Sequence, residues 1–85
     1  MVRKEIVVAC AAGLHNQQAT YFVKKANEFS CTIQLESGSR TMNGKSLLGI
    51  LSLGITAGTK VVLSADGKDA EEAVAVLEEV LLRSV

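Results

Sequence analysis

The segment CTIQLESGSRTM, residues 31–42, gives the clearest indication of the fold. Apolar residues at Cys31, Ile33 and Leu35 alternate with polar ones, so each kind would occupy its own face of an extended chain. The SGS that follows at 37–39 predicts a turn into a short strand, RTM, at 40–42. A strand with one apolar and one polar face is typical of an antiparallel sheet that is covered on one side only.

Two further segments, one on each side of this hairpin in the sequence, also have a strand pattern. They are VRKEIVV at 2–8 and TKVVLSAD at 59–66, and in both the side chains alternate along the chain. The residues predicted to share one side are Val2, Lys4, Ile6 and Val8 in the first segment, and Val61, Leu63 and Ala65 in the second. The sheet would therefore contain four strands.

Helical spacing of apolar residues marks a long segment after the first strand and another at the end of the chain. The first helix would start near His15 or Asn16, and the last would start at Asp69, which forms the pattern of a capping box with Glu72. The apolar positions are Ala19, Phe22, Val23, Ala26 and Phe29 in the first helix, and Ala70, Ala73, Val74, Leu77, Val80 and Leu81 in the last.

A short helix predicted over residues 47–54, LLGILSLG, is apolar almost all round. Ser46 is a good N-cap residue for it, and Gly54 is a suitable end. Two helical turns on a small domain cannot bury every large apolar side chain that this segment carries, namely Leu47, Leu48, Ile50, Leu51 and Leu53. We therefore expect part of the helix to be exposed as a surface that binds a partner.

The resulting order is strand, helix, strand, strand, helix, strand, helix. This order predicts an α+β fold, an open-faced β-sandwich in which three helices cover one face of a four-stranded antiparallel sheet. A chain of 85 residues, of which 48% are hydrophobic, is long enough for one core, so we expect a single domain over residues 1–85.

Composition and charge exclude several classes of function. Nine basic and nine acidic side chains cancel, whereas binding to nucleic acid needs a net basic surface. Apolar runs are too short for a membrane span and no signal peptide is evident, so we expect a cytoplasmic protein. Cys10 and Cys31 belong to no Cys-x-x-Cys pattern, and we expect free, buried thiols and no metal or cofactor.

The GKS at residues 44–46 resembles the end of a phosphate-binding P-loop. That motif requires a glycine at position 39, where this chain has Ser39, and Gly38 is one residue out of register. The motif also requires a buried parallel strand before it and a long helix after it. We therefore do not predict a nucleotide site.

The stretch GLHNQQAT, residues 13–20, contains the one histidine of the chain. An imidazole at a helix N-terminus lies beside unpaired N–H groups and the positive end of the helix dipole. His15 would stay neutral and nucleophilic there, and a phosphoryl group attached to it would be bound by the N–H groups. The alternative is that His15 only caps the helix or lies on the surface. Spacing marks no residue as a catalytic-triad partner, so a hydrolase is not indicated.

Three stretches together resemble the HPr family, the histidine-containing phosphocarriers of the bacterial sugar phosphotransferase system. They are GLHNQQAT, NGKSLLGILSLGI and SADGKDAEEAVAVLEE, and the resemblance covers the whole chain. It implies that His15 takes a phosphoryl group on Nδ1 from phosphorylated enzyme I and passes it to enzyme IIA domains, without being a free-standing enzyme. It also implies that Ser46 matches the serine modified by HPr kinase/phosphorylase, and that the protein is a monomer. The residues that it assigns to partner binding are Asn16, Thr20, Lys24, Leu47, Leu48 and Leu51.

The sequence departs from the family pattern two residues after the histidine. The usual arginine and proline are here Gln17 and Gln18. A charge-assisted hydrogen bond from arginine to a phosphoryl oxygen contributes about 1.5 to 3 kcal/mol, so its loss would slow transfer by about ten- to a hundredfold. Two hypotheses follow: a phosphocarrier of reduced efficiency, or a regulatory binding module controlled at Ser46 in which His15 transfers little phosphate.

Overall fold

The computed structural model describes residues 1–9 and 16–83. Its strands and helices follow one another in the predicted order, and all strand pairs are antiparallel, in the sheet order β1-β4-β2-β3. Their bounds are β1 Val2–Val7, α1 Asn16–Ala26, β2 Thr32–Ser37, β3 Arg40–Asn43, α2 Leu47–Ser52, β4 Lys60–Asp66 and α3 Ala70–Leu82. The predicted fold class is confirmed.

One face of the sheet is buried under the helices, as the alternation in the strands predicted. Its inward side chains are Ile6, Ile33, Leu35, Val61, Leu63 and Ala65, and all are buried. Val8 lies just beyond the end of β1 but is also buried, and its N–H donates to the Thr59 carbonyl at 2.9 Å. Lys4 shares this side of β1 and its ammonium reaches the Glu78 carboxylate of α3 at 2.8 Å. The strand therefore has a polar residue at the rim of the covered face.

Helix α1 is shorter than the apolar spacing predicted, because Phe29 lies outside it. The helix ends at Ala26. The Asn27 side chain then donates to the Val23 carbonyl at 2.9 Å, and the Phe29 N–H donates to the Ala26 carbonyl at 3.3 Å. A backbone bond between residues three apart, such as that from Phe29 to Ala26, commonly closes the last turn of a helix. Phe29 still packs against the core from the connection that follows the helix.

The predicted capping box at the start of α3 is wrong. Asp69 occupies the N-cap position but makes no side-chain cap hydrogen bond. Its carboxylate instead accepts the N–H groups of Ser30 at 2.9 Å and Cys31 at 3.0 Å. Backbone N–H groups at this crossing need a partner, and the carboxylate supplies it. The Ser30 N–H is the main reason that the pKa of the Asp69 carboxyl lies below its ordinary value, with bonds to Cys31 adding to the effect and desolvation opposing it.

Candidate functional site

The predicted phosphoryl site lies at the start of α1. This helix begins at Asn16, the residue directly after His15. His15 itself lies outside the described residues, as does Cys10, so what is predicted for them stays a prediction. Gln17 is exposed on the first turn of α1.

Three of the predicted site residues share one surface of α1. Gln17, Thr20 and Lys24 line a shallow, open depression together with Tyr21. Residues three, four and seven positions apart lie on the same side of a helix, which explains the grouping. A glutamine and a lysine therefore border the same depression, two turns apart along the helix.

The short helix α2 exposes leucines as predicted. It is two residues shorter than expected, because Leu53 caps it and Gly54 adopts a left-handed backbone with φ +59°. Of its side chains Ile50 is fully buried. We call the exposed leucines the leucine patch: Leu48 is 80% exposed, Leu47 39% and Leu51 38%. Because α1 and α2 contact each other, the patch and the α1 depression belong to adjoining helices.

Ser46 is the N-cap of α2. Its backbone is extended, with φ −104° and ψ 113°, and its Oγ accepts the Gly49 N–H at 3.1 Å. The Ser46 carbonyl accepts the Ile50 N–H at 3.0 Å, the first bond of the helix. A Cβ on Gly49 would lie 3.3 Å from Ser46 Oγ and 3.4 Å from Met42 Cβ. The glycine thus keeps the space that the capping hydroxyl occupies.

The other two residues of the GKS have structural roles. A Cβ on Gly44 would lie 2.5 Å from Ile33 Cγ2, and the Gly44 N–H donates to the Ile33 carbonyl at 2.8 Å. The Lys45 ammonium donates to the Phe29 carbonyl at 2.6 Å. Packing against β2 therefore accounts for the glycine, and a bond to the connection that follows α1 accounts for the lysine.

Sequence reasoning missed the side chains that hold the two ends of α2. Arg40, at the start of β3, donates to the Ser52 carbonyl at 2.7 Å and to Ser52 Oγ at 3.2 Å. At the other end the Asn27 amide donates to the Lys45 carbonyl at 3.2 Å. Neither partner could be found from spacing, because each is distant in the sequence from the residue that it binds. The Asn43 side chain, which accepts the Lys45 N–H at 2.9 Å, could have been found, since asparagine before glycine is a turn signal.

The described residues give few signs of other chemistry. No group of three or more possible metal-ligating side chains occurs within residues 1–9 and 16–83. Cys31 is a free, buried thiol, and burial together with Asp69 raises its pKa, which makes it a poor nucleophile. None of the helices in this part of the chain is long and apolar enough to cross a membrane.

Comparisons with known proteins agree with this arrangement. The family model PTS-HPr, described as the PTS HPr component phosphorylation site, matches residues 2–82. Phosphocarrier protein HPr of Borreliella burgdorferi is 40% identical over 81 residues, which cover 95% of this chain and 94% of that protein. HPr-like protein Crh of Bacillus subtilis is 38% identical over 73 residues, with 86% of each chain covered.

Solved structures show the same likeness in three dimensions. The crystal structure of HPr from Bacillus anthracis matches with a TM-score of 0.92 and 38% identity, covering 94% of this chain and 95% of that one. A family match over almost the whole chain, with a histidine directly before α1 and an exposed apolar helix beside it, leads to one conclusion. The chain belongs to the HPr family, the phosphocarrier proteins of the phosphotransferase system.

Proposed function

We propose that this protein accepts a phosphoryl group on His15 from phosphorylated enzyme I and passes it to enzyme IIA domains in sugar transport. The observation that carries the proposal is that His15 directly precedes the first residue of α1 within a family match over residues 2–82. A helix N-terminus disfavours a charged imidazolium, so the ring is available as a nucleophile near neutral pH. The first N–H groups of the helix have no partner within it and can donate to phosphoryl oxygens.

The transfer is a pair of exchanges. The imidazole nitrogen forms a bond to phosphorus while the bond between phosphorus and the donor breaks, and the acceptor then repeats the step on His15. Little covalent chemistry is required of the carrier beyond positioning and charge stabilisation. Both exchanges need a protein partner docked beside His15, and the α1 depression and the leucine patch are the surfaces that we assign to docking.

Gln17 sets the expected efficiency of this relay. It is exposed on the first turn of α1, where the family pattern has an arginine. A neutral amide stabilises developing phosphoryl charge less than a guanidinium does. We therefore propose a working carrier whose transfer is slower than that of relatives with the arginine, acting as a single-domain monomer in the cytoplasm. Measurement of the oligomeric state in solution tests the monomer, because a solved structure of the relative Crh is a domain-swapped dimer.

A second candidate function is regulatory. In it, Ser46 and the leucine patch act as a binding module switched by HPr kinase/phosphorylase, and His15 transfers little phosphate. Two observations favour it: the missing arginine at Gln17, and 38% identity to the HPr-like protein Crh. Retention of a histidine directly before α1 favours the carrier.

Incubation with enzyme I and phosphoenolpyruvate decides between the two functions. The carrier predicts an acid-labile phosphate that is absent in His15→Ala, and a rate that rises about ten- to a hundredfold in Gln17→Arg. Gln34→Arg, which adds the same charge at an exposed site on the open face of the sheet, is the matched control. If high concentrations of enzyme I leave no phosphate on His15, the regulatory function stands and the carrier does not.

A further inference from the structure

The residue before Ser46 is fixed through its side chain and both of its backbone polar groups. The Lys45 ammonium donates to the Phe29 carbonyl at 2.6 Å, and the Lys45 carbonyl accepts the Asn27 amide at 3.2 Å. The Lys45 N–H donates to Asn43 Oδ1 at 2.9 Å. We call these three hydrogen bonds the Lys45 clamp. Two of them join the segment before α2 to the connection that follows α1.

The clamp bears directly on the Ser46 backbone. The carbonyl bound by Asn27 and the Ser46 N–H belong to one peptide unit, and that N–H donates to the Asn43 carbonyl at 3.1 Å. Because a peptide unit is planar, fixing both of its polar groups fixes its orientation. The extended conformation of Ser46, which brings Oγ within 3.1 Å of the Gly49 nitrogen, starts from this fixed unit.

The orientation leaves the hydroxyl able to react. In the cap, Ser46 Oγ accepts the Gly49 N–H, and among residues 1–9 and 16–83 no acceptor binds its own proton. The O–H is therefore free to give that proton to a base on a kinase, and the residue is only half-buried. A helix of six residues contributes little rigidity by itself, so the position of the hydroxyl depends on contacts from outside α2.

We propose that Lys45 and Asn27 are positioning residues for phosphorylation of Ser46. This proposal rests on the regulatory candidate under the proposed function, since it takes Ser46 as the acceptor for HPr kinase/phosphorylase and ATP. In the reaction Ser46 Oγ forms a bond to the γ-phosphorus, the bond from that phosphorus to the bridging oxygen of ADP breaks, and the hydroxyl proton passes to the base of the kinase. A nucleophile held in one orientation reacts faster than one that must first be ordered.

Lys45→Met and Asn27→Ala test the proposal, with Lys45→Arg as the conservative variant and Lys68→Met as a matched control on an exposed turn. In the first two variants we expect kcat for Ser46 phosphorylation to fall by about tenfold, with KM within about twofold because the leucine patch still docks. Lys45→Arg, which keeps a cationic donor, should recover most of the rate.

Amide hydrogen exchange at Gly49, measured without any kinase, reports the clamp separately. We expect exchange to accelerate by about three- to tenfold in Lys45→Met and Asn27→Ala and to stay unchanged in Lys68→Met. Unchanged Gly49 exchange, an unchanged or higher kcat, or a loss confined to KM would each overturn the proposal. If the kinase leaves wild-type protein without phosphate, the positioning role falls as well. Gly49 exchange then separates two cases. Faster exchange in Lys45→Met and Asn27→Ala shows that the clamp exists although Ser46 is not phosphorylated, and unchanged exchange shows that the clamp is wrong as well.

Discussion

Substitutions at Ser46 should separate its structural role as a cap from the effect of negative charge at the same place. Ser46→Ala removes the oxygen that accepts the Gly49 N–H at 3.1 Å. The first turn of α2 contains no acidic residue that could take its place. Loss of a serine N-cap costs about 1 kcal/mol, within a range of about 0.5 to 2. For a domain of this size, that cost lowers the melting temperature by roughly 4 to 8 °C.

Ser46→Asp should behave differently, because aspartate is as good an N-cap residue as serine. Its carboxylate can accept the same N–H, and its charge is favoured at the positive end of a helix dipole. We expect the free energy of unfolding of this variant to stay within about 0.5 kcal/mol of wild type. Phosphoryl transfer from enzyme I should nevertheless slow, because the new charge lies beside the leucine patch, which we propose as the docking surface for a phosphorylated partner.

Two assays on the same proteins test this reasoning. Urea unfolding followed by circular dichroism gives stability, and single-turnover labelling by phosphorylated enzyme I gives the transfer rate. Ser39→Ala, in the exposed β2–β3 turn, controls for removal of a serine hydroxyl. The expected pattern is an alanine variant that is less stable but transfers normally, and an aspartate variant that is stable but slow. Equal stabilities in the alanine variant and wild type would refute the cap, and normal transfer in the aspartate variant would refute the electrostatic effect.

Two further predictions concern docking and pH. Leu48→Ala should leave stability unchanged, since the side chain is 80% exposed, but should raise KM for enzyme I by about five- to tenfold. The same truncation at fully buried Ile50 should instead lower the free energy of unfolding by about 2 to 5 kcal/mol. An unchanged KM for Leu48→Ala would exclude Leu48 from docking. Asp69→Asn should destabilise the protein at neutral pH, because the carboxylate that accepts the Ser30 and Cys31 N–H groups has a lowered pKa in the folded state. That contribution is present above the ordinary carboxyl pKa of 3.8 and is lost as pH falls through the lower folded value. The stabilities of the variant and wild type should therefore begin to converge only as the pH falls below 3.8, and a difference that stays constant at still lower pH would contradict the assignment.

The fold could be predicted from the sequence because the alternation of apolar and polar residues in each strand indicates which of its side chains are buried. Alternation in β2 placed Ile33 and Leu35 on the covered face, and both are buried. The same reasoning predicted exposed leucines on α2, since a helix that is apolar on all sides exceeds what one core can cover. These inferences depend only on periods of two and 3.6 residues, which are local properties of the chain.

The errors have a common cause, which is competition from residues distant in the sequence. Asp69 fits a capping box by spacing, yet its carboxylate binds the N–H groups of Ser30 and Cys31, residues brought close only by the packing of the α1–β2 connection against α3. Phe29 fits the apolar period of α1, but its carbonyl accepts the Lys45 ammonium from the segment before α2. A local pattern predicts which partners a group could choose. It does not predict which partner tertiary packing provides.

The residues GKS show the same competition in a functional setting. Spacing excluded a phosphate-binding loop, but it could not say what Lys45 does instead. In the folded chain its ammonium and carbonyl bind groups in the connection that follows α1. The next residue, Ser46, caps α2, and its hydroxyl oxygen accepts the Gly49 N–H. If Lys45 positions Ser46 in this way, removing its side chain should alter kinase turnover before it alters binding. Regulation at Ser46 would then depend on contacts outside its own helix as well as on the leucine patch.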